Sequence, residues 1–206
     1  VRLVEKILPT KFNIRAITIS VTRFFILNMR TLLMSAKRYA VTATGGTFDI
    51  IHKGHRRLLE KAFEMSDVVI IGLTGDALAA RMKKSPQNDY RKRLANLTLF
   101  LHETFPSSLF CISRLDDDFG PAVLGRKDKN AVQALVASEE TAPKGQRLNE
   151  IRAERGLPPV EVVVVPMVMA EDGVRISTSR IHNSEVDQEG DIIQSGGGQT
   201  RPQTNC

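Results

Sequence analysis

The sequence predicts an α/β fold, a five-stranded parallel sheet with helices on both faces. Two observations carry this. Five short apolar, largely β-branched stretches, at 39–44, 67–73, 109–115, 134–137 and 160–165, alternate with segments of helical period, which is the pattern of βαβ units. Between the first strand and the first helix lies a glycine-containing turn, T-G-G-T-F-D-I-I-H-K-G-H, running from Thr44 to His55.

The first strand, Y-A-V-T-A-T, ends where the glycines begin. In the helix after the turn, Leu58, Leu59, Ala62 and Phe63 form one stripe, and Arg56, Arg57, Glu60, Lys61 and Glu64 fall opposite. Counting back along that stripe reaches His55 and His52. Both imidazoles therefore belong on the sheet-facing side, in or just before the first turn, where free N–H groups and the helix dipole favour an anion. Gly45 and Gly46 let a polyanion approach the main chain. The stretch is not a P-loop, because the G-K-[ST] ending is missing, nor the dinucleotide fingerprint, because a histidine stands for the third glycine. An H-x-G-H pair supplies ring N–H donors that can follow charge building on a phosphoryl oxygen. Core histidines or two ligands of a metal site are the competing readings, and no third ligand is evident nearby in the sequence.

The second strand, D-V-V-I-I-G-L, leads into a helix from Thr74 to about Lys84, and the breaker cluster Ser85-Pro86-Gln87-Asn88 makes a loop beside the strand ends. Tyr90, Arg91 and Arg93 head the next helix, whose core face is Leu94, Leu97, Leu101 and Phe105. After the third strand come Asp116, Asp117 and Asp118, either a magnesium-attracting cluster or an acidic turn that caps the next helix. The fourth strand runs into Ser138-Glu139-Glu140-Thr141, which places S-E-E-T over the crevice at the carboxyl ends of a parallel sheet. The fifth, at 160–165, is nearly all valine and reads as buried on both faces. Ser177, Thr178 and Ser179 at a helix start, followed by Arg180, form a second anion site or, more simply, a serine N-cap.

With these residues in place, the motif resembles the nucleotidyltransferases marked by G-T-F-D-x-x-H-x-G-H. The resemblance implies a Rossmann-like doubly wound domain and attack of a substrate phosphate on the α-phosphate of a nucleoside triphosphate. S-E-E-T, N-E-I-R-x-E-R-G-L, V-P-M-V-x-A-E-D-G and I-S-T-S-R-I narrow it, over about residues 39–187, to the archaeal and eukaryotic type of phosphopantetheine adenylyltransferase. Implied substrates are ATP and 4′-phosphopantetheine, with Mg2+ arriving on the ATP and no protein ligand set evident for it. Thr47 would help hold the transferring phosphates, and His52 and His55 would contact them, beside Gly45, Gly46 and Phe48. Ser177, Thr178, Ser179 and Arg180 would bind the triphosphate tail. Ser138 and Glu139 would border the pantetheine or adenine. Lys83, with Lys84 as its alternative, would meet the acceptor phosphate. His182 stands where the pattern has a second arginine. Another acceptor (nicotinamide mononucleotide, FMN or glycerol 3-phosphate) would keep H-x-G-H and differ around S-E-E-T, and a non-catalytic nucleotide-binding protein would keep the glycines while losing the histidines.

The net charge of +6 and pI near 9.5 would suggest a nucleic-acid partner, but their distribution argues otherwise. Residues 1–38 carry eight Lys or Arg against the single acid Glu5, and the remainder carries 21 basic and 22 acidic residues. The basic character thus belongs to an N-terminal extension that the domain at 39–187 does not require. It reads as a transit peptide, a membrane-surface helix, or sequence upstream of a start at Met29 or Met34. Its arginines interrupt every apolar run before membrane-spanning length. Two cysteines, Cys111 and Cys206, build no disulfide framework. The expectation is a cytoplasmic monomer or small homo-oligomer with no nucleic-acid or membrane partner. Residues 188–206, polar and glycine-rich, are expected to form a disordered tail.

Overall fold

The computed structural model describes residues 37–123 and 131–193. Almost all of the basic extension, and the tail from 194 onward, lie outside these residues. Within the compact unit that begins at Arg38, five strands form one parallel sheet: β1 (Tyr39–Gly46), β2 (Ser66–Thr74), β3 (Leu109–Leu115), β4 (Ala134–Ser138) and β5 (Glu161–Val165). Their order is β3-β2-β1-β4-β5. The chain therefore winds outward in one direction through β3, then returns to β1 and winds the other way, which opens a crevice between β1 and β4 at the carboxyl ends.

Alternation along the strands divides the core in two. Val69, Ile71, Leu73 and Val136 face α1 (Lys53–Met65) and α3 (Tyr90–Thr104), meeting Leu58, Leu59, Ala62, Phe63, Leu97 and Leu101. Val41 and Ala43, with Val68, Ile70 and Leu135, face α4 (Pro143–Glu154) and a 3₁₀ turn (Gly120–Val123). This is the doubly wound arrangement, with the apolar stripes of the helices where the sequence puts them.

Three expectations need correction. β5 is an edge strand, and Val164 is 48% exposed, so its valines reflect β-propensity on a half-covered strand and not burial on both faces. The helix after β2 is short: α2 spans Asp76–Arg81, and Lys83, at φ 55°, turns the chain out of it. The tail does not leave the domain at 188. The carbonyl of Gln188 accepts from Lys53 N–H, that of Gly190 accepts from Glu171 N–H, and Val186 pairs with Ile192. A last short helix, α5 (Thr178–His182), sits beside a small cluster of Ala170, Ile176 and Val186. Of the two readings of the aspartates after β3 the structure has the acidic turn: Asp117 accepts from the N–H groups of Phe119 and Gly120, Asp116 pairs with Arg114 and Asp118 with Lys144.

Candidate active site

The turn after β1 is shaped by Phe48. Its backbone is left-handed (φ 45°) and its ring is wholly buried, a conformation that a bulky residue holds only when its surroundings enforce it. The folded-back ring explains Gly46, where a Cβ would lie 3.1 Å from the Phe48 ring. Glycine there serves the turn as well as any approaching ligand. The ring also packs against His55, with centroids 4.9 Å apart.

His52 is the N-cap of α1. Its Nδ1 accepts from Gly54 N–H at 3.2 Å, so in the neutral ring the proton resides on Nε2, leaving a donor. His55 makes the opposite arrangement: its Nδ1 lies 3.1 Å from the Ile50 carbonyl, which can only accept, so Nδ1 carries the proton and Nε2 a lone pair. The two rings stack at 3.9 Å. Burial, then the charge of Arg56, pushes His52 down to about 4. Burial, then His52 and Lys84, pushes His55 down to about 3 against the raising effect of the Ile50 carbonyl. Near neutral pH, without ligand, both rings are uncharged. Thr47, in the same turn, has a buried Oγ1 without a hydrogen-bond partner, as does Thr44 at the end of β1.

Beside this turn a cavity of about 130 Å³ opens on the α4 side of the sheet. Gly45 and Gly46 form one wall, Ile70, Leu78, Leu135 and Leu148 give it an apolar body, and Lys84, Lys144, Asp118 and Thr141 supply polar groups. Lys84 lines it and Lys83 does not; the left-handed turn at Lys83 is what brings its neighbour round. Of the two lysines that the sequence leaves as alternatives, Lys84 is therefore the one beside the cavity. Lys84 also bears on His55, linking cavity and histidine pair.

The side chains of S-E-E-T and N-E-I-R are largely engaged within the chain. Glu139 accepts from Met167 N–H at 3.0 Å, Glu140 pairs with Arg175, and Ser138 bonds Thr141. Asn149 exchanges two hydrogen bonds with the backbone of Val160, fixing the start of β5. Arg152, fully buried, donates to the carbonyls of Pro158, Ala122 and Val132. Of these stretches only Thr141 and Leu148, the residue before Asn149, line the cavity.

Ser177 caps α5 by accepting from Arg180 N–H. Arg180, expected at the triphosphate tail, is engaged by its own segment: its guanidinium pairs with Asp172 and with Glu185 at 2.9 Å, and bonds the carbonyls of Val174 and Arg175. Two carboxylates hold the charge that a triphosphate would seek, and they hold the guanidinium pKa above its ordinary value.

Two residues not expected at the site organise it. Asp49, 3% exposed, accepts from Gln87 N–H, Asn88 N–H and Asn88 Nδ2, and lies 3.1 Å from His182 Nε2. Arg93, fully buried, reaches the carbonyls of Thr47, Thr74 and Asn88 and the carboxylate of Asp76. The sequence held a signal for Arg93. It stands four residues before Leu97 and eight before Leu101, on the apolar stripe, where a charge must find buried acceptors.

Known proteins agree with this architecture. The profile of the Cytidylyltransferase-like family matches residues 43–184. The chain is 39% identical over 158 residues to the phosphopantetheine adenylyltransferase of Methanothermobacter thermautotrophicus, covering 77% of this chain and 92% of that protein. It is 36% identical to that of Methanopyrus kandleri, over 73% of this chain and 93% of the other. Among solved structures, a protein of unknown function from Archaeoglobus fulgidus superposes with a TM-score of 0.53 at 26% identity, over 61% of this chain and 88% of that one.

Proposed function

The chain belongs to the cytidylyltransferase-like family, in its phosphopantetheine adenylyltransferase branch, and on that footing we propose that it transfers the adenylyl group of ATP to 4′-phosphopantetheine, giving dephospho-coenzyme A and pyrophosphate. The observation that carries this is the shared wall: Gly45 and Gly46 border an apolar cavity on one side and lead directly into the His52–His55 pair on the other. A long, mostly uncharged arm fits such a cavity, with its phosphate near Lys84 and the triphosphate over the start of α1.

The chemistry is an in-line displacement. An oxygen of the acceptor phosphate bonds to the α-phosphorus as the bond to the bridging oxygen breaks, and pyrophosphate leaves with that electron pair. The acceptor is already an anion, so no strong base is required. The protein must hold two polyanions together and meet the charge of the transition state. His52, with Nδ1 committed to Gly54 N–H, offers Nε2–H while neutral. His55, with its Nδ1 proton on Ile50, offers a donor from Nε2 only after taking up a proton, which phosphate charge nearby favours. Thr47 Oγ1 adds a hydroxyl. Among the described residues no group of three His, Cys, Asp or Glu side chains is placed to hold a metal, and we read magnesium as part of the incoming ATP complex. No helix among the described residues is long and apolar enough to cross a membrane. The setting we propose for the reaction is the cytoplasm.

A pyrophosphate-release assay with ATP and CTP against 4′-phosphopantetheine, nicotinamide mononucleotide, FMN and glycerol 3-phosphate tests the reading. Turnover is expected with ATP and 4′-phosphopantetheine alone. Preference for another acceptor would overturn the substrate while leaving the transfer chemistry.

A further inference from the structure

We propose that His182 is a positioning residue for the reaction: through Asp49 it ties α5, with its cap Ser177 and with Arg180, to both the phosphate turn and the loop that presents Lys84. The inference rests on the transfer reading above, and its evidence is the environment of one carboxylate. Asp49 belongs to the turn between β1 and α1 and its side chain is 1% exposed. Three N–H donors reach it from Gln87 and Asn88, at 2.8, 3.0 and 3.0 Å. These residues lie in the same short loop as Lys84. From the opposite side comes His182, in the last turn of α5, with a side chain only 15% exposed and Nε2 at 3.1 Å from Asp49 Oδ2.

That contact is within ion-pair distance but off the alignment of a hydrogen bond, and His182 Nε2 is buried with no other polar partner. A buried ring nitrogen left unbonded costs free energy, so the imidazole favours whichever placement of α5 completes the bond to Asp49. The same carboxylate sets the loop at 87–88. Placement of α5 and placement of the Lys84 loop are therefore linked through one side chain. Groups sharing such a network typically couple strongly enough to shift an equilibrium by about tenfold. The position fits an imidazole: the ring reaches Asp49 with one nitrogen while remaining largely buried, whereas a longer guanidinium there would have to find acceptors for five N–H groups.

The test uses the full chain with His182→Leu, His182→Gln and, as a separate probe of the carboxylate, Asp49→Asn. His182→Leu should raise KM for ATP and for 4′-phosphopantetheine together, by about tenfold each, while thermal unfolding stays cooperative. His182→Gln, which restores an N–H at similar reach, should recover most of both. Asp49→Asn should reproduce the leucine phenotype. A fall in kcat with unchanged KM, a KM effect on one substrate only, or no recovery by glutamine would overturn the proposal. A readout independent of turnover is amide hydrogen exchange at Gln87 and Asn88, which should quicken in His182→Leu although the substitution is on another element. Unchanged exchange there would also overturn it. If the wild-type chain released no pyrophosphate, the enzymatic reading would fall by itself, and the exchange experiment would still decide whether His182 and the 87–88 loop are joined.

Discussion

Arg93, fully buried at the head of α3, donates from Nη1 to the carbonyl of Thr47 at 2.8 Å. The same nitrogen reaches the Thr74 carbonyl at the end of β2, Nε reaches Asn88, and Nη2 reaches Asp76. One guanidinium thus fastens the turn after β1 to the neighbouring strand and to the Lys84 loop. Replacing it with methionine fills the volume but leaves three carbonyls without their donor, each worth roughly 1–3 kcal/mol when buried. Arg93→Met should lose about 3 kcal/mol or more in denaturant unfolding. A loss below about 1 kcal/mol would mean that water reaches those carbonyls.

His55→Ala should lower turnover by about 10²- to 10³-fold while ATP affinity falls much less, because a donor aimed at transition-state charge acts mainly there. His52→Ala should affect both, since it also removes the cap on Gly54 N–H. Turnover and ATP binding measured on the same preparations check this, and near wild-type turnover in His55→Ala would remove it from the chemistry.

The depressed histidines have a signature in stability. The unfolded chain takes up protons on these rings below about pH 6.5, whereas the native protein does so only near 4 for His52 and near 3 for His55. Stability should therefore fall as pH drops from about 6.5 to 4 and be independent of these groups above 6.5. The lowered carboxylates act lower, Asp76, Asp117, Asp172 and Asp187 around and below their ordinary 3.8 and Glu185 around and below 4.5, so the upper part of the fall belongs to the histidines. Melting curves across the window should flatten in the double variant His52→Asn, His55→Asn. An equally steep fall would locate the acid sensitivity elsewhere.

Lys84→Ala should raise KM for the phosphate acceptor several-fold more than for ATP, and Lys83→Ala should leave both near wild type, because only Lys84 lines the cavity. The reverse ranking would return the role to Lys83.

Arg180 is held by Asp172 and Glu185, which separates two possible roles. If the guanidinium exchanges these carboxylates for the triphosphate, Asp172→Asn should tighten ATP, and Arg180→Ala should weaken it and lower the melting temperature. Weaker ATP binding in both variants, in step with lost stability, would make Arg180 a brace for the segment at 172–185.

The sheet, the helix stripes and the glycine–histidine turn come from local pattern alone. Strand alternation and the spacing of Leu58, Leu59, Ala62 and Phe63 express which face each element must bury, and T-G-G-T-F-D-I-I-H-K-G-H with I-S-T-S-R-I is enough to mark the family. What local pattern does not contain is the partner of a side chain brought from afar. Asp49 meets residues 87–88 and 182, Arg93 meets Thr47, and Asn149 and Arg152 turn to backbone rather than to the crevice. Strand order is also beyond its reach, and strand order makes β5 an edge. The difference between Lys83 and Lys84 depends on one left-handed residue, and whether Arg180 is free depends on two carboxylates folded back on it. Burial preference is a property of each residue and can be read along the chain; pairing is a property of positions in space, and only the folded chain assigns it.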